Sequence, residues 1–133
     1  FKMLANPLIP ILRSFDEAKA AEFYQGFLGF AQDWSHRFSP DLPLYQPIGL
    51  QRPDGAPCVL HLSEHYGDAS PGAAIRIEWP GLAQLQQQLL AKHYGFARPG
   101  LEVQPWGMQE MRIADPFGNR LVFFEEIDTT PQA

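Results

Sequence analysis

The chain has 133 residues, with four histidines, one cysteine and fifteen carboxylates as its raw material for chemistry, and their spacing excludes most of it. His61 and His65 are four apart with Glu64 beside them. On a strand they share a face but stand about 13 Å apart at the backbone, too far to grip one ion. His36 and His93 have no clustered partner and read as surface or internally satisfied histidines. Glu125 and Glu126 are neighbours on a strand, hence on opposite faces, and cannot act together on one bond. No Ser-His-Asp order, Cys-His pair or glycine-rich phosphate loop is present, and Gly67-Asp68 and Gly118-Asn119 read as turns. Cys58 lies in an apolar strand pattern and reads as a small buried hydrophobe.

Flat aromatic surface is what remains. Trp106 sits in Gln104-Pro105-Trp106-Gly107, where Pro105 and Gly107 predict a loop that presents the indole. Strict alternation over 30–38 puts Phe30, Trp34 and Phe38 on one face of a strand, and Tyr45 opens the next. Each of these rings could be a core anchor, but an aromatic strand face beside a Trp loop is also what a stacking site for a flat ligand requires.

The elements that must position these rings follow from periodicity and punctuation. Residues 7–13 predict a short strand whose Pro10 suits an edge. Ser14 and Glu17 form a capping-box pattern ahead of a helix with Ala20, Phe23, Tyr24, Phe27 and Leu28 on its apolar stripe, ended by Gly29. Strands follow at 30–38, 44–51 and 58–63. The Gly/Pro-rich stretch 64–72 reads as a loop. The plan then repeats: a strand over 73–79, a helix from Pro80 with Leu82, Leu85, Leu89 and Leu90 on its apolar side, Gly95-Phe96 in the manner of Gly29-Phe30, a weak strand at 101–105, and strands at 108–114 and 121–126. Between the last two lies Asp115-Pro116-Phe117-Gly118-Asn119. Pro116 holds Asp115 extended, while Gly118 and Asn119 both tolerate the left-handed region and are expected to close a hairpin.

The length fits one domain, and 45% hydrophobic with 19% charged residues is a globular composition. A net charge of −5 with no Lys/Arg cluster argues against nucleic acid and is compatible with a cationic ligand. No apolar run reaches the roughly twenty residues that span a bilayer, and the first residues lack a signal-peptide plan, so the expectation is a cytoplasmic protein without a membrane partner.

Two stretches carry a resemblance. Pro105-Trp106-Gly107, a strand, Asp115-Pro116-x-Gly118-Asn119 and an apolar strand ending in Glu, together with Phe23-Tyr24-x-x-x-Leu28-Gly29-Phe30, resemble the glyoxalase/bleomycin resistance/extradiol dioxygenase, or vicinal oxygen chelate, superfamily. The Trp-Gly element looks most like its bleomycin resistance branch. The resemblance implies an α+β fold of two βαβββ modules, 7–63 and 73–126, joined by the 64–72 loop and followed by a 127–133 tail, each curling a mixed sheet around a half-open cleft. Enzymes of this superfamily hold a divalent metal through four side chains, at positions that read here Ile9, His61, Ala74 and Val122. Only His61 can ligate, so no metal or other cofactor is expected and no catalytic residue is assigned.

The resemblance further implies a homodimer that sequesters a bleomycin-like glycopeptide unchanged. Its ligand, cationic and aromatic, would be held by Trp34, Phe38, Tyr45, His61, Trp106 and Gly107, with Glu64, Glu102 and Glu110 as rim charges. The alternatives are a metal-dependent glyoxalase-type lyase or dioxygenase with an atypical ligand set, and a binding module for another flat small molecule.

Overall fold

The computed structural model describes residues 8–32 and 42–127. Two four-stranded mixed sheets and a few helices make an α+β fold with no closed barrel. The first sheet contains β1 (Ile11–Arg13), β2 (Ala31–Gln32), β3 (Tyr45–Gln51) and β4 (Pro57–Ser63) in the order β1-β4-β3-β2. The second contains β5 (Ala74–Glu78), β6 (Leu101–Gln104), β7 (Met108–Ala114) and β8 (Arg120–Glu126) in the order β5-β8-β7-β6. In each, the first strand runs parallel to the last and the other pairs are antiparallel. The repeated strand order is the doubling expected from the sequence.

Alternation decides which face of each sheet is covered. Leu12, Ile48, Leu60 and Leu62 of the first sheet and Ile77, Met111, Ile113, Leu121 and Phe123 of the second are buried in one continuous apolar cluster with the helices. Truncating Leu121 or Phe123, both at 0% exposure, should cost about 2–5 kcal/mol through lost burial and the cavity left behind. The intervening residues of each strand project from the opposite, open face.

The first helix departs from the expected plan at its start and along its second half. Its cap is Asp16, whose side chain accepts from the Lys19 amide at 3.0 Å, and not Ser14. Ser14 is instead buried, and its amide extends the β1–β4 ladder by bonding Ser63 O at 2.9 Å. After α1 (Glu17–Ala20) the coil widens into a π-helical segment, Ala21–Phe27. The Leu28 amide reaches back to Phe23 O at 2.9 Å, five residues instead of four. The wider turn still buries Phe23, Tyr24 and Phe27 together. Gly29 follows in the left-handed conformation.

The second helix, α2 (Leu82–Ala91), buries Leu82, Leu85 and Leu89, whereas Leu90 is 40% exposed and does not belong to the apolar side. Its N-terminal amides are met by Glu125, which accepts from Gly81 N at 2.8 Å and Leu82 N at 3.1 Å. A carboxylate is favoured there because it satisfies donors that have no partner within the helix and lies at the positive end of the dipole. The parallel drawn between Gly95-Phe96 and Gly29-Phe30 fails: His93, not Gly95, takes positive φ, and Phe96 is 83% exposed where Phe30 is 3%. Lys92 Nζ closes the gap between the helices by donating to Phe27 O at 2.6 Å. Among the described residues no helix is long and apolar enough to cross a membrane.

The Asp115–Asn119 turn is wider than a two-residue hairpin. The Asp115 amide bonds Asn119 O at 2.8 Å, and only Gly118 adopts positive φ, Asn119 keeping negative φ. Asp115 Oδ1 accepts from the amides of Phe117 (2.9 Å) and Asn119 (2.7 Å), holding the turn from inside. Asp115 Oδ2 accepts from the Tyr24 hydroxyl at 2.6 Å and from Asn119 Nδ2 at 2.8 Å. Asn119 Nδ2 also reaches Arg13 O at 2.9 Å. A loop signal in the sequence thus proves to be the joint between the second sheet and the first strand and helix.

Candidate functional site

Of the predicted ring-bearing residues, Trp34 and Phe38 lie outside the described residues. Phe30, placed with them by alternation, is core: its ring meets Tyr24 edge-on at 5.8 Å. Tyr45 and His61 do come together on the open face of the first sheet. They are diagonal neighbours on β3 and β4, because Tyr45 pairs with Ser63 and His61 with Pro47. The Tyr45 hydroxyl lies 2.6 Å from His61 Nδ1, with the rings edge-on at 5.3 Å.

Burial sets the protonation of this pair. It lowers the His61 pKa below its usual value and, with the nearby Asp68 charge, raises that of Tyr45. At neutral pH both the phenol and the imidazole are therefore uncharged, and the imidazole tautomer sets which of the two donates. The 64–72 loop folds against this end of the sheet: Ser63 Oγ donates to Asp68 Oδ2 at 2.6 Å, and the Arg13 guanidinium lies 5.5 Å from the Tyr66 ring centre. His65 shares no ligand geometry with His61; its amide is bound by Ser63 Oγ at 3.1 Å.

Trp106 and Gly107 form the turn between β6 and β7. Trp106 is 62% exposed, so the indole is a surface ring and not a core anchor. Gly107 is buried with φ +83°, a conformation that side chains disfavour. Its amide bonds Gln104 O at 3.1 Å and its carbonyl accepts from Ile127 N at 3.0 Å, so the turn is tied to the end of β8. Trp106 thus belongs to the second sheet and the Tyr45–His61 pair to the first.

The open face of the second sheet carries a group that the sequence reading misjudged. Glu110, expected as a rim charge, is 1% exposed and receives Arg76 Nη2 on one oxygen at 3.0 Å and Arg112 Nη2 on the other at 3.3 Å. Burial alone would raise its pKa; the two guanidiniums outweigh it and hold the carboxyl below its ordinary value. Arg76 lies over the Phe124 ring at 4.6 Å. The other two rim candidates are engaged as well: Glu64 accepts from Leu44 N at 3.1 Å, and Glu102 from Gln104 Nε2 at 3.2 Å.

The metal positions fail a test of donor chemistry. His61 pairs across the ladder with Ile11, and Ile9, Ala74 and Val122 offer no nitrogen, sulfur or carboxylate. Among the described residues no three His, Cys, Asp or Glu side chains converge as an ion would require. Cavities among the described residues lie beside the sheets. One of about 350 Å³ lies on the helical side against Glu22, Phe23, Tyr94, Phe96 and Asp115. Another, of about 230 Å³, lies at the junction of the sheets against Pro10, Val59, Leu60, Ile75 and Arg76. Neither is lined by Tyr45, His61 or Trp106.

A family model described as glyoxalase superfamily protein matches residues 2–130. The chain belongs to the glyoxalase superfamily. Comparison with curated proteins found no match. Among solved structures, a glyoxalase-related enzyme from Clostridium phytofermentans is 21% identical, with a TM-score of 0.72 over 92% of this chain and 95% of the other. A bleomycin-binding protein complexed with bleomycin is 22% identical, with a TM-score of 0.63 over 91% and 98%. The bleomycin resistance determinant encoded on the transposon Tn5 is 22% identical, with a TM-score of 0.64 over the same shares. At such identities the likeness establishes the shared glyoxalase fold.

Proposed function

We propose that this glyoxalase superfamily member binds a bleomycin-like glycopeptide and holds it without chemical change. The observation that carries this reading is the exposed Trp106. A large indole that is 62% exposed on a tightly tied turn is ready to stack on a planar group without reordering the chain. Similarity in fold to a bleomycin-binding protein supports the choice of ligand. Trp106 and Gly107 would form the platform, Tyr45 and His61 a polar wall, and Trp34 and Phe38 further stacking surface. The reading includes a homodimer whose clefts are lined by both subunits, since among the described residues each sheet ends in edge strands of the kind that pair with a second copy.

Titration with bleomycin, followed by tryptophan fluorescence and calorimetry, tests the proposal. Saturable binding with unchanged drug on recovery is expected, and an absence of binding at high micromolar drug would end it. Light scattering tests the dimer, which a strictly monomeric mass would eliminate. The second reading is a metal-dependent lyase or dioxygenase, favoured by the likeness to a glyoxalase-related enzyme. Stoichiometric divalent metal in the purified protein would favour it, with His61 as the one family position able to ligate.

A further inference from the structure

The rows of side chains across the open face of the second sheet follow from its register. Nearest the Trp106 turn come Glu126 and Met108 with Gln104. The next row is Glu78, Phe124, Glu110 and Glu102, the next Arg76, Val122 and Arg112, and the last Ala74, Arg120 and Ala114. The face is therefore polarised along its strands, acidic towards Trp106 and basic at the far end. In the acidic row Glu78 is already engaged by Arg52 at 3.3 Å, which also pairs with Asp54.

Within the basic row the chemistry is specific. Arg76 and Arg112 flank Val122 on the two neighbouring strands, so their backbones stand about 10 Å apart, two strand spacings. Each gives Nη2 to a different oxygen of Glu110, and each carries further N–H donors on a side chain that is 50% and 63% exposed respectively. One buried carboxylate against two guanidiniums leaves a net positive charge. Glu110 fixes both side chains from below, and Phe124 supports Arg76 from its ring face. Two pre-positioned planar forks on either side of a small apolar floor match an oxyanion, which accepts two parallel bonds from each fork.

We infer that Arg76 and Arg112, held by Glu110, form an oxyanion subsite above Val122 that takes a carboxylate or phosphate group of the bound molecule. The inference rests on the reading that Trp106 is a ligand platform, and it adds that the ligand extends from that turn over the open face of the second sheet and carries an anionic group at its remote end. An amphoteric ligand fits the polarised face better than a purely cationic one.

Benzoate and inorganic phosphate, titrated separately and followed by the backbone amide shifts of Val122 and Phe124, test the subsite. Saturable binding of at least one anion is expected, weakening with added sodium chloride and at least tenfold weaker in Arg76→Gln and in Arg112→Gln. Benzoate alone would identify a carboxylate site, and phosphate alone a phosphate site. Arg98→Gln, which removes the same charge at an exposed position elsewhere, should bind as the parent does. Arg112→Lys keeps the charge and its pairing with Glu110 while losing the fork, and should retain the fold yet bind several-fold more weakly. Failure of both anions to bind saturably, or an equal loss in Arg98→Gln, would overturn the inference. A parallel bleomycin titration separates the two readings: anion binding without drug binding removes the drug and keeps the subsite, and the converse removes the subsite and keeps the drug.

Discussion

The Tyr24 hydroxyl and the Asp115 carboxylate meet at 2.6 Å across 91 residues of sequence, joining the π-helical segment to the turn that closes the second sheet. Burial, together with the Asp115 charge and hydrogen bond, pushes the Tyr24 pKa far up, so the phenol stays a donor at every accessible pH. Tyr24→Phe removes one donor to a carboxylate that keeps three others, and should cost about 1.5–3 kcal/mol of folding stability in urea denaturation. Asp115→Ala leaves the Tyr24 hydroxyl and the Phe117 and Asn119 amides without that acceptor and the Asn119 side-chain amide with Arg13 O alone, and a loss of at least about 3 kcal/mol is expected. Equal losses for the two variants would mean that Asp115 acts on the tyrosine alone.

That contact also shows where sequence reasoning stops. The Asp-Pro-x-Gly-Asn string announces a turn because its proline and glycine have local conformational meaning. The burial of Asp115 and Asn119 at 6% and 0% depends on partners far away in the chain and leaves no local trace. Glu110 reads in the sequence only as a rim charge, because its cover by Arg76 and Arg112 depends on strands that are distant in the chain. The widening of the first helix was hidden because apolar positions at three- and four-residue spacing suit both coils. Trp106 was legible in kind, since Pro105 and Gly107 require a loop, but whether the indole turns in or out is a tertiary matter.

Glu125 supplies a second stability test. With Gly81 as the capping residue, α2 has no side-chain cap of its own and takes Glu125 in its place. Glu125→Ala should lower stability by about 1 kcal/mol, the usual effect of losing a helix cap. Glu126→Ala, exposed on the opposite face of the same strand, should change it by under about 0.5 kcal/mol and serves as the control.

The Tyr45–His61 pair predicts a pH dependence of known sign. Because the folded state lowers the His61 pKa, the unfolded chain takes up the proton first on acidification, so stability present at pH 7 is lost as pH falls below about 6.5. Glu110 adds a further loss at lower pH: its depressed pKa stabilises the fold above about 4.5, and that contribution disappears as the carboxyl protonates through its folded value. Melting temperature measured from pH 7.5 to about 2.5 should show both falls, and His61→Gln should flatten the upper one alone. An imidazole titration midpoint above 6.5 in NMR would contradict the buried-neutral account.

Trp106 offers the sharpest test of the ligand reading. An indole that is 62% exposed buries little area on folding, so Trp106→Ala should shift stability by under about 1 kcal/mol. If the same indole is the stacking platform, affinity for bleomycin should fall by about 2 kcal/mol or more, the scale of an aromatic hot spot and close to thirtyfold in Kd. Gly107→Ala asks a different question, because it strains a φ of +83° while leaving the indole in place. It should weaken binding by displacing the ring and also lower the melting temperature, whereas Trp106→Ala should lower affinity alone. Thermal melts run beside bleomycin titrations on both variants separate the two effects. A Trp106→Ala protein that binds as tightly as the parent would move recognition away from this turn, to Trp34, Phe38 and the Tyr45–His61 wall.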